Sequence, residues 1–181
     1  MKRYLIRIQL LFVLVSGLSV SCSPGLQTFN KYDIYFEISK ELKLEEYTVN
    51  FEEQSFGRGT ANSKQGAVMG SEKNFMLLWL TTIPKFSQEE VRRSIFTTPD
   101  AFESASGSFR AKIAGDLVTQ EIAGFEVTSA AMQFTMPQWE APGITAVWYC
   151  PASQRTMQLV LINKHAEREM QRFIRSFRDS G

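Results

Sequence analysis

The chain has 181 residues, of which 44% are hydrophobic and 22% charged, with a formal net charge of +1. That near-neutral balance gives no electrostatic case for nucleic-acid binding. Fourteen Phe, five Tyr and three Trp argue against disorder and for a filled globular core, in a chain long enough to bury one without disulfide staples.

The first elements are an export signal. Lys2, Arg3 and Arg7 make a positive start, Leu10 to Val20 is an apolar run, and small residues lead to Ser21 and Cys22. This is the order of a secretory leader, and the run falls short of the roughly 20 residues of a membrane span. Leu18-Ser19-Val20-Ser21-Cys22 resembles a lipobox, with Ser19 where Leu usually stands three places before the cysteine. Cys22 is therefore expected to be acylated and to anchor the chain. Ordinary cleavage near Ser21, leaving a soluble secreted protein, is the alternative. Losing three cations with the leader turns the net charge to about −2. Ser23, Pro24 and Gly25 suit a tether. The expected division is a signal at 1–21, a tether at 22–30 and a single domain at 31–181.

Residues 31–38 read as a short strand and Tyr47 to Phe51 as another. Gly57 to Gly66, rich in Gly, Ser, Asn and Lys, reads as a mobile surface loop. Phe75 to Leu80 is a continuous apolar run, as in a central strand buried on both faces. Ser87 and Glu90 make a capping box, Phe86 and Val91 a hydrophobic staple, and Ile95 continues that helix until Thr97, Thr98 and Pro99 interrupt it. Phe102, Ala105 and Phe109 suggest a second helical piece, which Gly107 weakens. Ile113 to Ile122 and Phe125 to Met136 read as strands around a turn at Ala123-Gly124. Thr135 to Gly143, with Pro137, Trp139 and Pro142, reads as a loop. Ile144 to Cys150 and Thr156 to Ile162 form an antiparallel pair joined by Pro151 to Gln154. Ala166, Met170, Phe173, Ile174 and Phe177 share one face of a final helix, with Asn163 as its N-cap. Lys164, Arg168, Arg172 and Arg175 lie opposite them.

No catalytic set emerges. His165 is the single histidine and reads as solvated. There is no Gly-x-Ser-x-Gly, and Gly57-Arg58-Gly59 lacks the remainder of a phosphate loop. The pairs Glu45/Glu46, Glu52/Glu53 and Glu89/Glu90 are adjacent in sequence and read as surface charge, since neighbours on a strand point to opposite faces. No ligand spacing suggests a metal, and no motif suggests a cofactor. Cys150 reads as a small core residue, and Trp79 and Trp148 as core aromatics. The candidates for partner binding are Trp139 in its Pro-flanked loop and the basic stripe Lys164, Arg168, Arg172 and Arg175. The stripe would face anionic headgroups or an acidic partner, although a solvated helix back is the default for such a row.

The order strands, helix, antiparallel strands, helix is that of an α+β domain. With Glu121-Ile122-Ala123-Gly124-Phe125-Glu126-Val127 and the ending Phe173-Ile174-Arg175-Ser176-Phe177-Arg178, it resembles the PsbP-like superfamily, including envelope lipoproteins of the DcrB type, over about residues 30–178. That resemblance implies an antiparallel sheet with helices packed on both faces, an α/β/α sandwich, and a non-enzymatic accessory or assembly role. The long Thr135 to Gly143 loop and the polar Gly57 to Gly66 stretch depart from it. The expected protein is an exported, lipid-anchored interaction module of the cell envelope. It would bind the membrane through its lipid and an envelope protein through its surface, without nucleic acid or cofactor. A small-ligand carrier or an enzyme with a pocket beside the sheet is the rival reading.

Overall fold

The computed structural model describes residues 25–50, 55–81, 88–107, 110–136 and 139–180. The chain opens with a hairpin of β1 (Leu26–Lys31) and β2 (Ile34–Ser39), paired antiparallel. Tyr32 and Asp33 turn it with φ of 59° and 62°. Two successive left-handed residues match the twist of the flanking strands, as in a type I′ turn. The single strand expected at 31–38 is thus a turn followed by β2. Because β1 starts at Leu26, the folded domain begins inside the stretch expected to be a tether.

The large sheet follows: β3 (Leu44–Asn50), β4 (Ser55–Arg58), β5 (Gln65–Gly70), β6 (Phe75–Thr81), β7 (Arg110–Ile113), β8 (Val118–Ile122), β9 (Phe125–Met136), β10 (Trp139–Cys150) and β11 (Arg155–Ile162). Its order is β4-β3-β5-β6-β11-β10-β9-β7, with β8 also pairing β9, and every pairing is antiparallel. As its unbroken apolar run requires, β6 lies near the centre and is buried on both faces. Phe75, Leu77 and Trp79 face one cluster, while Met76 and Leu78 face the other.

Helix α3 (Ala166–Ser176) lies on the first face through Ala166, Met170, Phe173 and Ile174. The chain then ends in β12 (Arg178–Asp179), which pairs with β2. So β1, β2 and β12 form a second, three-stranded sheet on the same side as α3. Phe173 meets Phe36 of β2 at 4.9 Å and Phe75 of β6 at 5.6 Å, and Trp148 meets Phe177 edge-on at 5.3 Å. Offset and edge contacts of this kind add to the area the rings bury.

The second face bears short segments: α1 (Gln88–Arg93), a 3-10 turn (Ser94–Thr97) and α2 (Thr98–Ser106). Val91 and Ile95 meet Ala130 and Val147, and Phe102 meets Phe134 edge-on at 5.3 Å. The expected sandwich, with helices packed on both faces, is therefore corrected. Strands hold most of the described residues, α3 is the one long helix, and it shares its face with a second sheet. The hairpin concealed at 31–38 is the physical reason, because its alternating Ile34, Phe36 and Ile38 cover area that a helix would otherwise cover.

Other corrections are local. The Thr135 to Gly143 loop is mainly strand: Glu140 pairs Thr135 and Pro142 pairs Gln133 between β9 and β10. Ile113 to Ile122 is two strands, both on β9. The Gly57 to Gly66 stretch is tied down. Asn62 accepts the Lys64 and Gln65 N–H groups and, through its carbonyl, the Trp79 indole N–H at 2.8 Å. Pro99 sits in the first turn of α2, where its missing N–H costs nothing. Gly107 is the left-handed C-cap of α2, with φ of 70°. Asn163 lies two places before the helix cap and accepts the His165 N–H at 2.7 Å. Ser87 and Phe86 of the capping box and staple lie outside the described residues.

Gly143 tests the central register. A Cβ there would stand 2.3 Å from the Leu161 carbonyl oxygen and 2.5 Å from the Phe134 ring. Gly143→Ala is expected to destabilise by about 1–3 kcal/mol, as overpacked cores do, read as a lower urea midpoint. An unchanged midpoint would contradict the β9–β10–β11 packing.

Candidate functional site

A concavity of about 770 Å³ runs between α3 and the turns at the end of the two sheets. Its apolar residues are Leu26, Ile38, Leu42, Leu161, Ile162 and Phe173. Arg168 and Arg172, four apart on α3, lie over one another along one wall, and Lys164 joins them from the turn before the helix. The facing elements supply Glu37 of β2, Glu41 of the β2–β3 turn and Glu72 of the β5–β6 turn. Arg168 approaches Glu169 on its own helix at 3.8 Å. Asn74 also lines the groove, and its side-chain oxygen is buried with no hydrogen-bond partner. The volume falls within the roughly 300–1,000 Å³ of small-molecule sites.

The basic stripe is thus exposed, as its pattern indicates, and three of its four members share the groove; Arg175 is exposed but does not line it. His165, exposed at the start of α3, lines the groove too. Trp139 opens β10 opposite Met136, and its side chain lies outside the described residues, as does Cys22. Trp79 and Trp148 are fully buried. The carboxylate pairs diverge: Glu45 meets Arg58 at 3.1 Å, while Glu46 turns to Lys31 and Tyr32. Glu89 pairs with Arg93, and Glu52 and Glu53 lie outside the described residues. Cys150 is a buried free cysteine. Burial first, and the Asp179 carboxylate second, push its thiol well above the ordinary range, which disfavours the nucleophilic thiolate. Among the described residues no group of three or more His, Cys, Asp or Glu is placed to hold a metal, and no helix is long and apolar enough to cross a membrane.

Two polar clusters went unread in the sequence. Arg155 starts β11 with 4% of its surface exposed. Its guanidinium donates to the Tyr32 carbonyl at 2.7 Å and reaches Asp179 at 3.5 Å and Asp33 at 3.7 Å. Ser153 donates its hydroxyl to the other Asp179 oxygen. No local pattern marks these residues, because the partners are 24 and 123 positions away. In the second cluster, Glu46 accepts from Lys31 and from the Tyr32 hydroxyl, each at 2.5 Å. Those two hydrogen bonds, Lys31 first, hold Glu46 below the usual carboxylate range. Burial first, then Glu46, pushes the Tyr32 hydroxyl up to about 12. Both clusters brace the β1–β2 turn and offer no reacting constellation.

The two antiparallel sheets, with α3 beside the smaller one, define a PsbP-like fold. The solution structure of cyanobacterial PsbP (CyanoP) from Synechocystis sp. is similar to this chain with a TM-score of 0.52 and 9% identity, covering 91% of this chain and 98% of that one. At that identity the likeness is one of fold. No protein-family model and no curated protein matches the chain.

The Tyr32 cluster carries a pH signature. A hydroxyl raised above its ordinary value of 10.0 stabilises the fold below that pH, and the contribution is lost as pH rises towards about 12. Tyr32→Phe is expected to be less stable than the parent at pH 9, with the gap closing by pH 12 in urea titrations. A gap that stays constant would contradict the assignment.

Proposed function

We propose that this chain is an exported, lipid-anchored accessory module of the cell envelope, kin in layout to DcrB-type lipoproteins, which acts by surface contact and not by catalysis. The observation that carries the reading is the spacing between Cys22 of the lipobox-like segment and Leu26, where β1 begins. Four residue steps span at most about 14 Å. An acyl group on Cys22 would therefore hold the first strand close to the bilayer surface. The PsbP-like fold supports an accessory role. The membrane partner is the lipid bilayer through that acyl group, and the protein partner is an envelope protein met at the domain surface.

Cys22→Ala is expected to move the protein from the membrane to the soluble fraction, and globomycin-type inhibition of lipoprotein processing is expected to leave the precursor leader attached. An unchanged distribution in fractionated cells would contradict lipid anchoring. The groove beside α3 favours a second element of function, a small amphiphilic ligand.

A further inference from the structure

We propose that the groove beside α3 binds the headgroup of a zwitterionic aminophospholipid of the ethanolamine class. This rests on the anchored reading, which places the groove at the bilayer surface. Three observations carry it. The first is position: Leu26, the first residue of β1, lines the groove and is one of the few large apolar side chains left exposed among the described residues. The Lys40 N–H also donates to the Gly25 carbonyl at 2.8 Å, which fixes where the chain enters the domain.

The second is charge. The α3 side presents Arg168 and Arg172, with Lys164 from the turn before the helix and Glu169 3.8 Å from Arg168, and the opposite wall presents Glu37, Glu41 and Glu72. A purely anionic headgroup would suit the first wall and be repelled by the second. A headgroup with a phosphate at one end and an ammonium at the other suits both. The guanidinium and ammonium donors match phosphate oxygens, and the carboxylates match a primary ammonium.

The third is Asn74, a groove-lining residue whose side-chain oxygen is buried without a hydrogen-bond partner and becomes available to a ligand when the side chain turns outward. Buried acceptors are rarely left unsatisfied, and a primary ammonium has three N–H donors to offer. A trimethylated choline has none. Leu26 and Leu42 then meet the first methylenes of the acyl chains.

The test uses the full-length protein purified in detergent and titrated with soluble dihexanoyl phosphatidylethanolamine, phosphatidylcholine and phosphatidylglycerol. The ethanolamine lipid is expected to bind at least about tenfold more tightly than either of the others. Arg168→Gln with Arg172→Gln, both at exposed positions, is expected to weaken the ethanolamine and glycerol lipids alike. Glu37→Gln with Glu41→Gln, also exposed, is expected to weaken the ethanolamine lipid and strengthen the glycerol lipid. Equal binding of choline and ethanolamine, preference for glycerol, or no saturable binding would each overturn the proposal. Tighter binding of an acidic peptide would assign the helix wall to a protein partner and overturn it as well. The titration reads the groove whether or not Cys22 is acylated, so its outcome is independent of the fractionation experiment.

Discussion

One buried cation holds the two sheets of this domain together. Arg155 belongs to the large sheet, yet its guanidinium is spent on the small one: on the Tyr32 carbonyl in the β1–β2 turn and on Asp179 in β12. Asp179 is itself almost fully buried and is held from the large sheet by Ser153 in the β10–β11 turn. Taking such a pair out of water is costly unless its hydrogen-bonding capacity is met. Here it is met in part, through the Tyr32 carbonyl, Asp179 and Ser153, while the Arg155 Nε is buried without a partner, so the geometry of three chain segments becomes one decision. The left-handed Tyr32 and Asp33 persist under this constraint, since strained backbone survives where its surroundings over-determine it.

The clamp has a consequence at the other end of the small sheet. With the β1–β2 turn fixed to Arg155, the strands run back across the face of the large sheet, and Phe36 meets Phe173 of α3 at a tilt of 46°. The helix therefore lies on the large sheet beside the small one, and its solvent edge meets the β2–β3 turn across a groove instead of lying open. Phe29, Phe36, Phe75, Phe173 and Phe177 belong to one buried cluster with Trp148. That cluster explains the large aromatic content. It fills the angle between the sheets, where flat rings pack at offset and edge geometries that aliphatic side chains do not reproduce.

Much of this was legible in the sequence, for identifiable reasons. The run Phe75 to Leu80 can only be a strand buried twice over, and Ala166, Met170, Phe173 and Ile174 of α3 repeat with helical period, with Phe177 following as the extended C-cap. The pair Arg168 and Arg172 follows from the same period, so part of one wall of the groove was readable. The other wall was not, because Glu37, Glu41 and Glu72 come from separate elements that only the tertiary fold brings together. The hairpin at Tyr32-Asp33 lacks the Asn-Gly signature of its turn type. It is stabilised by an arginine more than a hundred residues downstream, so local propensity gave no warning. The helix-covered layout fails for that reason: the strand expected at 31–38 contains β2, the middle strand of a second sheet. Pro137, Trp139 and Pro142 suggested a loop by composition, but Pro142 lies in a strand opposite Gln133.

The most direct measurement is amide hydrogen exchange on the parent, on Arg155→Met and on Arg155→Met combined with Asp179→Leu. If Arg155 clamps the small sheet, the single change leaves Asp179 buried without its cation and costs about 3–5 kcal/mol. Exchange in β1 and β2 should then accelerate more than in β6, with much of the loss recovered in the double variant. Uniform protection across both sheets in Arg155→Met, with an unchanged unfolding midpoint, would contradict the account.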